Sequence, residues 1–579
     1  MTVALPASVT MNWIWPFSSI TTASVYNGAQ FQALMFRPLF MFGGNSQSVT
    51  LNYPLSVANE PTYSNGGKTV TVNLKGWKWS DGETVGASSV IFFLNMAKAE
   101  KANWYAYAPG LLPDNVVSYK ATSPTQVVMQ LNKPYSSQWF TYNQLAEIHP
   151  FPEAWDVTKL GAPAGSGGCL KDSASDNWAK CKAVYTFLEA QGKNAATYAT
   201  SPLWQVVDGP WKLSKFSTTG NVTMVPNPKY SGSPKPTIAK LQYLPFTSDT
   251  TEYTAIKTGQ VDVGYIPTQD LPQKPVSDVL PPTNPLGSNY NLQPFYNFGI
   301  SYYQPNFNNA TVGPMFRQLY VRQALQELVD QIGMAKAAWG GYAYPGSGPI
   351  PIKPANPWLP PIQKANGGQG PYPFSIAKAK ALFASHGWKV TGGVQTCENP
   401  SLCGTGIAKG TQMKFSIDYS TGTAAFTDMM EAYKSDAQQA GVSINIVGQS
   451  FNTIIGEGAP CPKPGSTQLS AKCTAQVLEY GGWVYNGPGY EPTGEPLFAT
   501  GAGSNSGNYA NPQMDKLINL THTSSSPSAM FQFATFTAQQ LPYIWMPENY
   551  GIQAVSTKVH NVTFNPDYTF TPEYWYLTK

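Results

Sequence analysis

Thr69-Val70-Thr71-Val72-Asn73-Leu74-Lys75-Gly76-Trp77-Lys78-Trp79-Ser80-Asp81-Gly82-Glu83 is the stretch that decides the architecture. Its first six residues alternate in the period of a half-buried strand. Asn65-Gly66-Gly67 makes the turn before it. Ser80-Asp81-Gly82 makes the turn after the two tryptophans, because an Asp side chain bonds the backbone two residues on and Gly tolerates turn geometry. Residues 87–98 then carry apolar side chains at helical spacing, with Ser88 or Ser89 placed to cap the helix.

Working outward, the chain has 579 residues, too many for a single core, so roughly two to four domains are expected. Apolar residues make up 42%, an ordinary share, but charged residues only 12%, about half the usual one. Aromatic residues reach 13%, with 51 Gly and 50 Pro, a composition that points to an exported, loop-rich protein. A net charge of +4 with no basic run gives no footing for nucleic acid. No apolar run reaches the roughly 18 residues of a membrane helix. Residues 1–25 lack the basic head and apolar stretch of a signal peptide, so an export segment, if the protein has one, is expected to be absent from this sequence.

Six cysteines fall into three local couples, Cys169/Cys181, Cys397/Cys403 and Cys461/Cys473, each in a loop rich in Gly, Ser, Pro or Lys. None has the two-residue spacing of a zinc or redox motif, and the four histidines are scattered, so no metal site is expected. Three loop-closing disulfides in an oxidising compartment, or three pairs of buried thiols, account for them.

Residues 74–95 resemble a segment of bacterial extracellular solute-binding proteins of family 5, the dipeptide, oligopeptide and nickel receptors of ABC importers. Further segments match that family in order: Val127-Val128-Met129-Gln130-Leu131-Asn132-Lys133-Pro134, Asp208-Gly209-Pro210-Trp211, Asn227-Pro228-Lys229-Tyr230 and Ala255-Ile256-Lys257-Thr258-Gly259-Gln260-Val261-Asp262. Val321-Arg322-Gln323-Ala324-Leu325, Gly348-Pro349-Ile350-Pro351 and residues 377–388 continue the series, and Asn511-Pro512 with Asp515 resembles a helix start of the family. Asp81, Asp262 and Arg322 read as structural.

The resemblance implies an α/β clamshell of two lobes with a discontinuous first lobe and an extra inserted domain. Residues 1–46, 170–282 and 547–579 would form the first lobe, 47–169 the inserted domain and 283–546 the second lobe, with hinge crossings near 282 and 546. It implies an extracytoplasmic receptor of an ABC importer that captures a peptide-like ligand by hinge closure and delivers it to the permease. No catalysis and no cofactor are implied. A monomer is expected, in the periplasm or on the cell surface, with a lipid anchor as its one membrane attachment.

Residues 481–492, Gly-Gly-Trp-Val-Tyr-Asn-Gly-Pro-Gly-Tyr-Glu-Pro, follow a short apolar run that reads as a buried strand. Aromatics and a carboxylate on a Gly/Pro loop suit a small-molecule site, or a turn whose rings plug the core. In peptide-binding members of the family this strand end carries an Asp that pairs with the ligand ammonium. Asn486 stands there in this chain, and an amide cannot neutralise an ammonium. Glu491 follows after a short insertion and is the candidate replacement. Gly482, Trp483, Tyr485, Asn486 and Glu491, with Trp13, Trp15 and Tyr302, are the candidate ligand residues. Two ligand readings stay open, a peptide with a rearranged amine anchor and an oligosaccharide held by stacking and amide bonds. The rival class is a secreted glycoside hydrolase, whose two carboxyls could come from anywhere in the chain. No Gly-x-Ser-x-Gly elbow, phosphate-binding Gly-Lys-Ser/Thr loop or His-Glu-x-x-His is present.

Overall fold

The structure, a computed structural model, describes residues 1–44, 49–276, 280–281, 283–461, 471–486, 490–524 and 526–578. The decisive stretch forms as read. Strand Thr69–Asn73 is the second in an antiparallel sheet of four, in the order Thr62–Ser64, Thr69–Asn73, Gln126–Leu131 and Val116–Ser123. Its register sets Val70 opposite Met129 and Val72 opposite Val127, and all four side chains are buried. Cross-strand pairing of apolar residues on one face is what the alternation encodes. The turn at Asp81 is closed by its own carboxylate, which accepts from Glu83 N at 3.0 Å.

The helix after it runs Ala87–Glu100, but its cap is Gly86 rather than Ser88 or Ser89. A side chain at Gly86 would place Cβ 2.6 Å from the Pro124 carbonyl oxygen, which also accepts from Ala87 N. Ser89 instead sits one turn in and accepts from Gly86 N. Residues 11–17, which alternate like a strand, form none, and side chains bond part of their backbone instead. Asn27 Oδ1 accepts from Asn12 N, and Gln32 Nε2 donates to the carbonyls of Trp13 and Trp15. Side-chain amides thus take the place of a strand partner. Residues 25–35 form one helical run, Val25–Asn27, a π turn Gly28–Gln32 and Ala33–Met35, which ends before Pro38.

Two larger sheets complete the frame. One has seven strands in the order Tyr290–Phe295, Gly551–Ser556, Val263–Ile266, Thr2–Ala4, Leu241–Leu244, Val222–Pro226 and Trp211–Phe216. Thr2–Ala4 lies parallel to both its neighbours, and the remaining pairs are antiparallel. The other has five strands in the order Ser443–Gln449, Lys414–Ser420, Val477–Glu479, Tyr302–Pro305 and Ile544–Trp545. Each has its own buried apolar cluster. The cluster under the seven-stranded sheet continues into the four-stranded sheet, joining Trp15, Trp155 and Trp211 to Val72 and Phe93. The cluster of the five-stranded sheet is separate and includes Tyr303, Ile417, Met430 and Trp545.

The expected boundaries at 46/47 and at 282 involve residues outside those described. Strand Tyr290–Phe295 pairs with Gly551–Ser556 along six residue pairs, so the seven-stranded sheet claims it, beyond the crossing expected near 282. The chain passes between the large sheets after Phe295 and again between Trp545 and Gly551. All three cysteine couples are bonded, Cys169–Cys181, Cys397–Cys403 and Cys461–Cys473. Asp262 accepts from Thr2 N at 2.7 Å, and Arg322 donates to the carbonyls of Phe316 and Gln540, so both serve the fold. No helix among the described residues is long and apolar enough to cross a membrane.

Candidate ligand cleft

A cavity of about 390 Å³ lies where the seven-stranded, five-stranded and four-stranded parts meet. Its wall draws on loops 6–42, on Trp104, Tyr105 and Glu147 of the part with the four-stranded sheet, on Tyr265 and Gln553 beside the seven-stranded sheet, and on residues 480–486 after the five-stranded one. Loops at strand ends between two sheets are where α/β proteins bind small molecules.

The strand end is built by two glycines. Val477–Glu479 runs in the five-stranded sheet, and Trp483–Val484 leaves it to pair with Gly299–Ile300. Between them Gly481 and Gly482 have φ of 95° and 99°, the left-handed half of the map. A Cβ on Gly482 would lie 1.9 Å from Ile300 O, so only glycine lets the backbone pass. Glu479, at the end of the buried strand, accepts from Gly481 N at 2.8 Å and fixes the turn. Burial pushes the Glu479 carboxyl up to about 8, against the pull of that bond.

Of the candidates read from sequence, Gly482, Trp483 and Asn486 line the cavity. Asn486 Nδ2 donates to the Asp567 carbonyl at 3.3 Å, a link from the strand end to the last part of the chain. The other five lie outside the wall. Tyr485 is fully buried, its hydroxyl on Pro349 O at 2.5 Å. Tyr302 stacks on Tyr543 at 4.2 Å inside the second core. Trp15 packs among Phe17, Phe151 and Tyr185, and the Trp13 ring covers Gly192. Glu491 turns away into the body. Its backbone N donates to Asn143 Oδ1 at 2.8 Å, and burial with the nearby Glu495 charge pushes its carboxyl up to about 7. The insertion read at 487–490 lies, but for Tyr490, outside the described residues.

The wall holds more than the sequence pointed to. It is rich in aromatic rings, among them Tyr26, Trp339, Phe426 and Tyr568. Phe42 and Tyr490, both on the wall, stack face to face with centroids 3.4 Å apart. Four buried polar atoms of wall residues have no hydrogen-bond partner among the described residues: Trp483 Nε1, Trp339 Nε1, Thr268 Oγ1 and Glu147 Oε1. Buried polar groups are nearly always paired, and unpaired ones occur away from this wall as well, as at Glu252 and Glu573. The ionisable wall is sparse. Glu147 is the one carboxylate on it among the described residues, His149 the one histidine, and no Lys or Arg lines it. Burial pushes His149 down to about 4, so it stays neutral at physiological pH. Burial pushes Glu147 well up, opposed by the Tyr105 hydroxyl that donates to Oε2 at 3.3 Å. Among the described residues no group of three His, Cys, Asp or Glu is placed to hold a metal.

Hydrogen bonds cross the cleft at its rim. Asn452 and Thr10 exchange two bonds, Thr10 N to Oδ1 at 3.1 Å and Nδ2 to Thr10 O at 3.0 Å. Asp249 N donates to Gly422 O at 3.0 Å, while its carboxylate accepts from Ala424 N at 3.1 Å.

Comparison with known proteins gives a consistent picture. The sequence profile of bacterial extracellular solute-binding proteins, family 5, matches residues 53–492. Protein XP55 of Streptomyces lividans is 23% identical over 492 residues, 82% of this chain and 71% of that protein. A putative ABC transporter peptide-binding protein of Brucella ovis is 22% identical over 370 residues, 62% of this chain and 59% of its own length. The fold is that of the oligopeptide-binding protein AppA of Bacillus subtilis, solved with a nonapeptide, with a TM-score of 0.76 at 16% identity over 100% of this chain and 99% of that one. The two-lobed α/β architecture with an extra domain is therefore the fold of this chain.

Proposed function

Because the chain belongs to the bacterial extracellular solute-binding proteins of family 5, we propose that it is the receptor of an ABC importer. It takes a peptide-like ligand into the cleft and delivers it to the membrane permease. The observation that carries this reading is the cavity itself, walled from both lobes and the extra domain and edged with unpaired polar atoms. A ligand that bonds to both lobes favours the closed arrangement by its differential affinity for that state. The bonds of Asn452 to Thr10 and of Asp249 to Ala424 are then the contacts that closure makes.

The lobes in this reading are the seven-stranded body, extended through residue 295, and the five-stranded body, with the four-stranded sheet as the inserted domain. The protein works outside the cytoplasm, where its three disulfides persist. A lipid anchor, removal of an export segment and a monomeric state belong to the same proposal. A retaining or inverting glycosidase needs two carboxyls about the scissile bond. The single carboxylate on the described wall favours a receptor over a hydrolase.

Native mass spectrometry of freshly purified protein tests this. A ladder of co-purified peptides is the expected result. A hexose ladder would transfer the receptor role to an oligosaccharide. Turnover of chromogenic glycosides would overturn the receptor reading altogether.

A further inference from the structure

The cleft is electrically one-sided. Its described wall offers one carboxylate, a neutral histidine, side-chain amides and aromatic rings, and no cationic side chain. A ligand carboxylate would therefore enter without a counter-charge, whereas a ligand ammonium would meet both ring faces and a carboxylate. The strand end does not supply that carboxylate. Asn486 is an amide whose Nδ2 is engaged by the Asp567 carbonyl, and Glu491 is turned into the body by Asn143.

Glu147 closes a short 3-10 turn, Leu145–Glu147, in the segment that follows the four-stranded sheet. It is 4% exposed. Its Oε2 accepts one bond, from Tyr105, and its Oε1 none among the described residues. Tyr105 also lines the cavity. A carboxyl left half-satisfied at the wall of a cavity is a costly arrangement in the empty protein and a useful one when a donor arrives.

We propose that Glu147 is the amine anchor of this cleft, so that the ligand's recognised charge is an ammonium held by the inserted domain rather than by the strand end, and a ligand carboxylate contributes nothing to binding. This rests on the receptor reading and narrows it to amine-bearing ligands, peptides capped at the C-terminus included. The carboxyl must ionise to take the ammonium. Burial pushes it well up, and the neighbouring charge of Glu495 acts in the same direction. His149, which faces the Glu147 carbonyl through Nδ1, is neutral, and Tyr105 donates without a charge. Binding of an ammonium therefore draws the carboxyl towards its ionised form, releasing protons to the buffer, and strengthens with rising pH while the ligand amine stays protonated.

The experiment is calorimetric titration of ligand-stripped protein with a random pool of tri- to pentapeptides in three forms: free, C-terminally amidated, and N-acetylated and amidated. Phenethylamine and its N-acetyl derivative form a second pair that involves no peptide. The free and amidated pools should bind alike, with a proton-release heat that scales with buffer ionisation, and N-acetylation should weaken binding at least about tenfold. Glu147→Gln should erase both the proton release and the preference for the amine while leaving the far-ultraviolet spectrum unchanged. Glu147→Asp should retain part of the preference, which a merely structural role would not predict. If phenethylamine binds in preference to its N-acetyl form and Glu147→Gln removes that preference while no peptide pool binds, the anchor stands and the peptide reading falls. If N-acetylated and free forms bind alike, or Glu147→Gln leaves the preference intact, the anchor is overturned whatever the pools show.

Discussion

Residues 480–486 and 490–495 are neighbours along the chain and opposites in chemistry. The first segment lines the cavity, with Trp483 Nε1 unpaired among the described residues, its turn braced by Glu479 and its strand end paired with Gly299–Ile300. The second is buried and densely bonded. Glu495 accepts from Asn143 Nδ2 at 2.9 Å and Trp139 Nε1 at 3.2 Å, takes the Thr493 hydroxyl, and has His522 Nε2 3.4 Å away. Trp139 stacks on His522 with centroids 4.0 Å apart. Asn143 and Trp139 belong to the helix Ser137–Asn143 that follows the four-stranded sheet, so this cluster ties that part of the chain to residues 491–495 and His522. Both segments hold aromatics, and the second holds two carboxylates. The two segments differ in how their polar groups are bonded rather than in residue type: both oxygens of Glu495 accept hydrogen bonds, although neither ring nitrogen of His522 makes one among the described residues.

The largest effect should come from the satisfied side. Glu495→Ala removes one partner of a buried pair, leaves His522 without its carboxylate and takes one of the three acceptors of Asn143 Nδ2, a loss of about 3–5 kcal/mol. Denaturant unfolding measures it. A loss below about 1 kcal/mol would mean that the cluster does not hold the domains together. The same residue sets an acid limit. Burial alone would raise its carboxyl, but the His522 charge and the hydrogen bonds from Asn143 and Thr493 hold it below the ordinary 4.5. With the folded value depressed, its contribution is present above pH 4.5 and is lost as pH falls through the lower folded value.

Next in size is Gly482→Ala, where the new Cβ meets Ile300 O in a left-handed backbone. It should cost about 2–3 kcal/mol and abolish ligand binding, read by thermal unfolding and titration together. A variant with unchanged melting temperature would show that the strand end is not fixed as described. Glu479 gives the opposite pH sign to Glu495. Its folded value is raised to about 8, so its contribution is present below 4.5 and falls as pH rises towards 8. Glu479→Gln should flatten that slope in melting temperature between pH 5 and 8, and an unflattened slope would count against the assignment.

Asn486→Asp should have the smallest effect on stability, about 1 kcal/mol, because one half-buried bond to Asp567 is lost. Its affinity for free-amine peptides should hold or rise. A loss of peptide binding would mean that Asn486 is a contact the ligand needs as an amide.

What the sequence made legible follows from locality. The alternation at residues 69–74, the turn at Asp81 and the ordered family-like segments each rest on neighbours along the chain, and the structure has them. Capping of the helix by Gly86 was not legible, since it depends on Pro124 from a distant turn. Trp13, Trp15, Tyr302 and Tyr485 lie at positions along the chain that suit a ligand site, but aromatic rings suit cores equally, and only tertiary packing tells the two apart. Glu491 was singled out for its charge and place in the motif. In the structure its backbone N is bonded to Asn143 instead. Glu147 carried no local signal at all. Nothing in Leu145-Ala146-Glu147 marks a buried carboxylate, and its position on the wall arises from the meeting of three bodies.

Hydrogen–deuterium exchange of ligand-stripped against ligand-loaded protein tests the central claim most directly. Protection is expected at residues 480–486 and 145–149 together, since both line one cavity. Protection that skips both segments would contradict it.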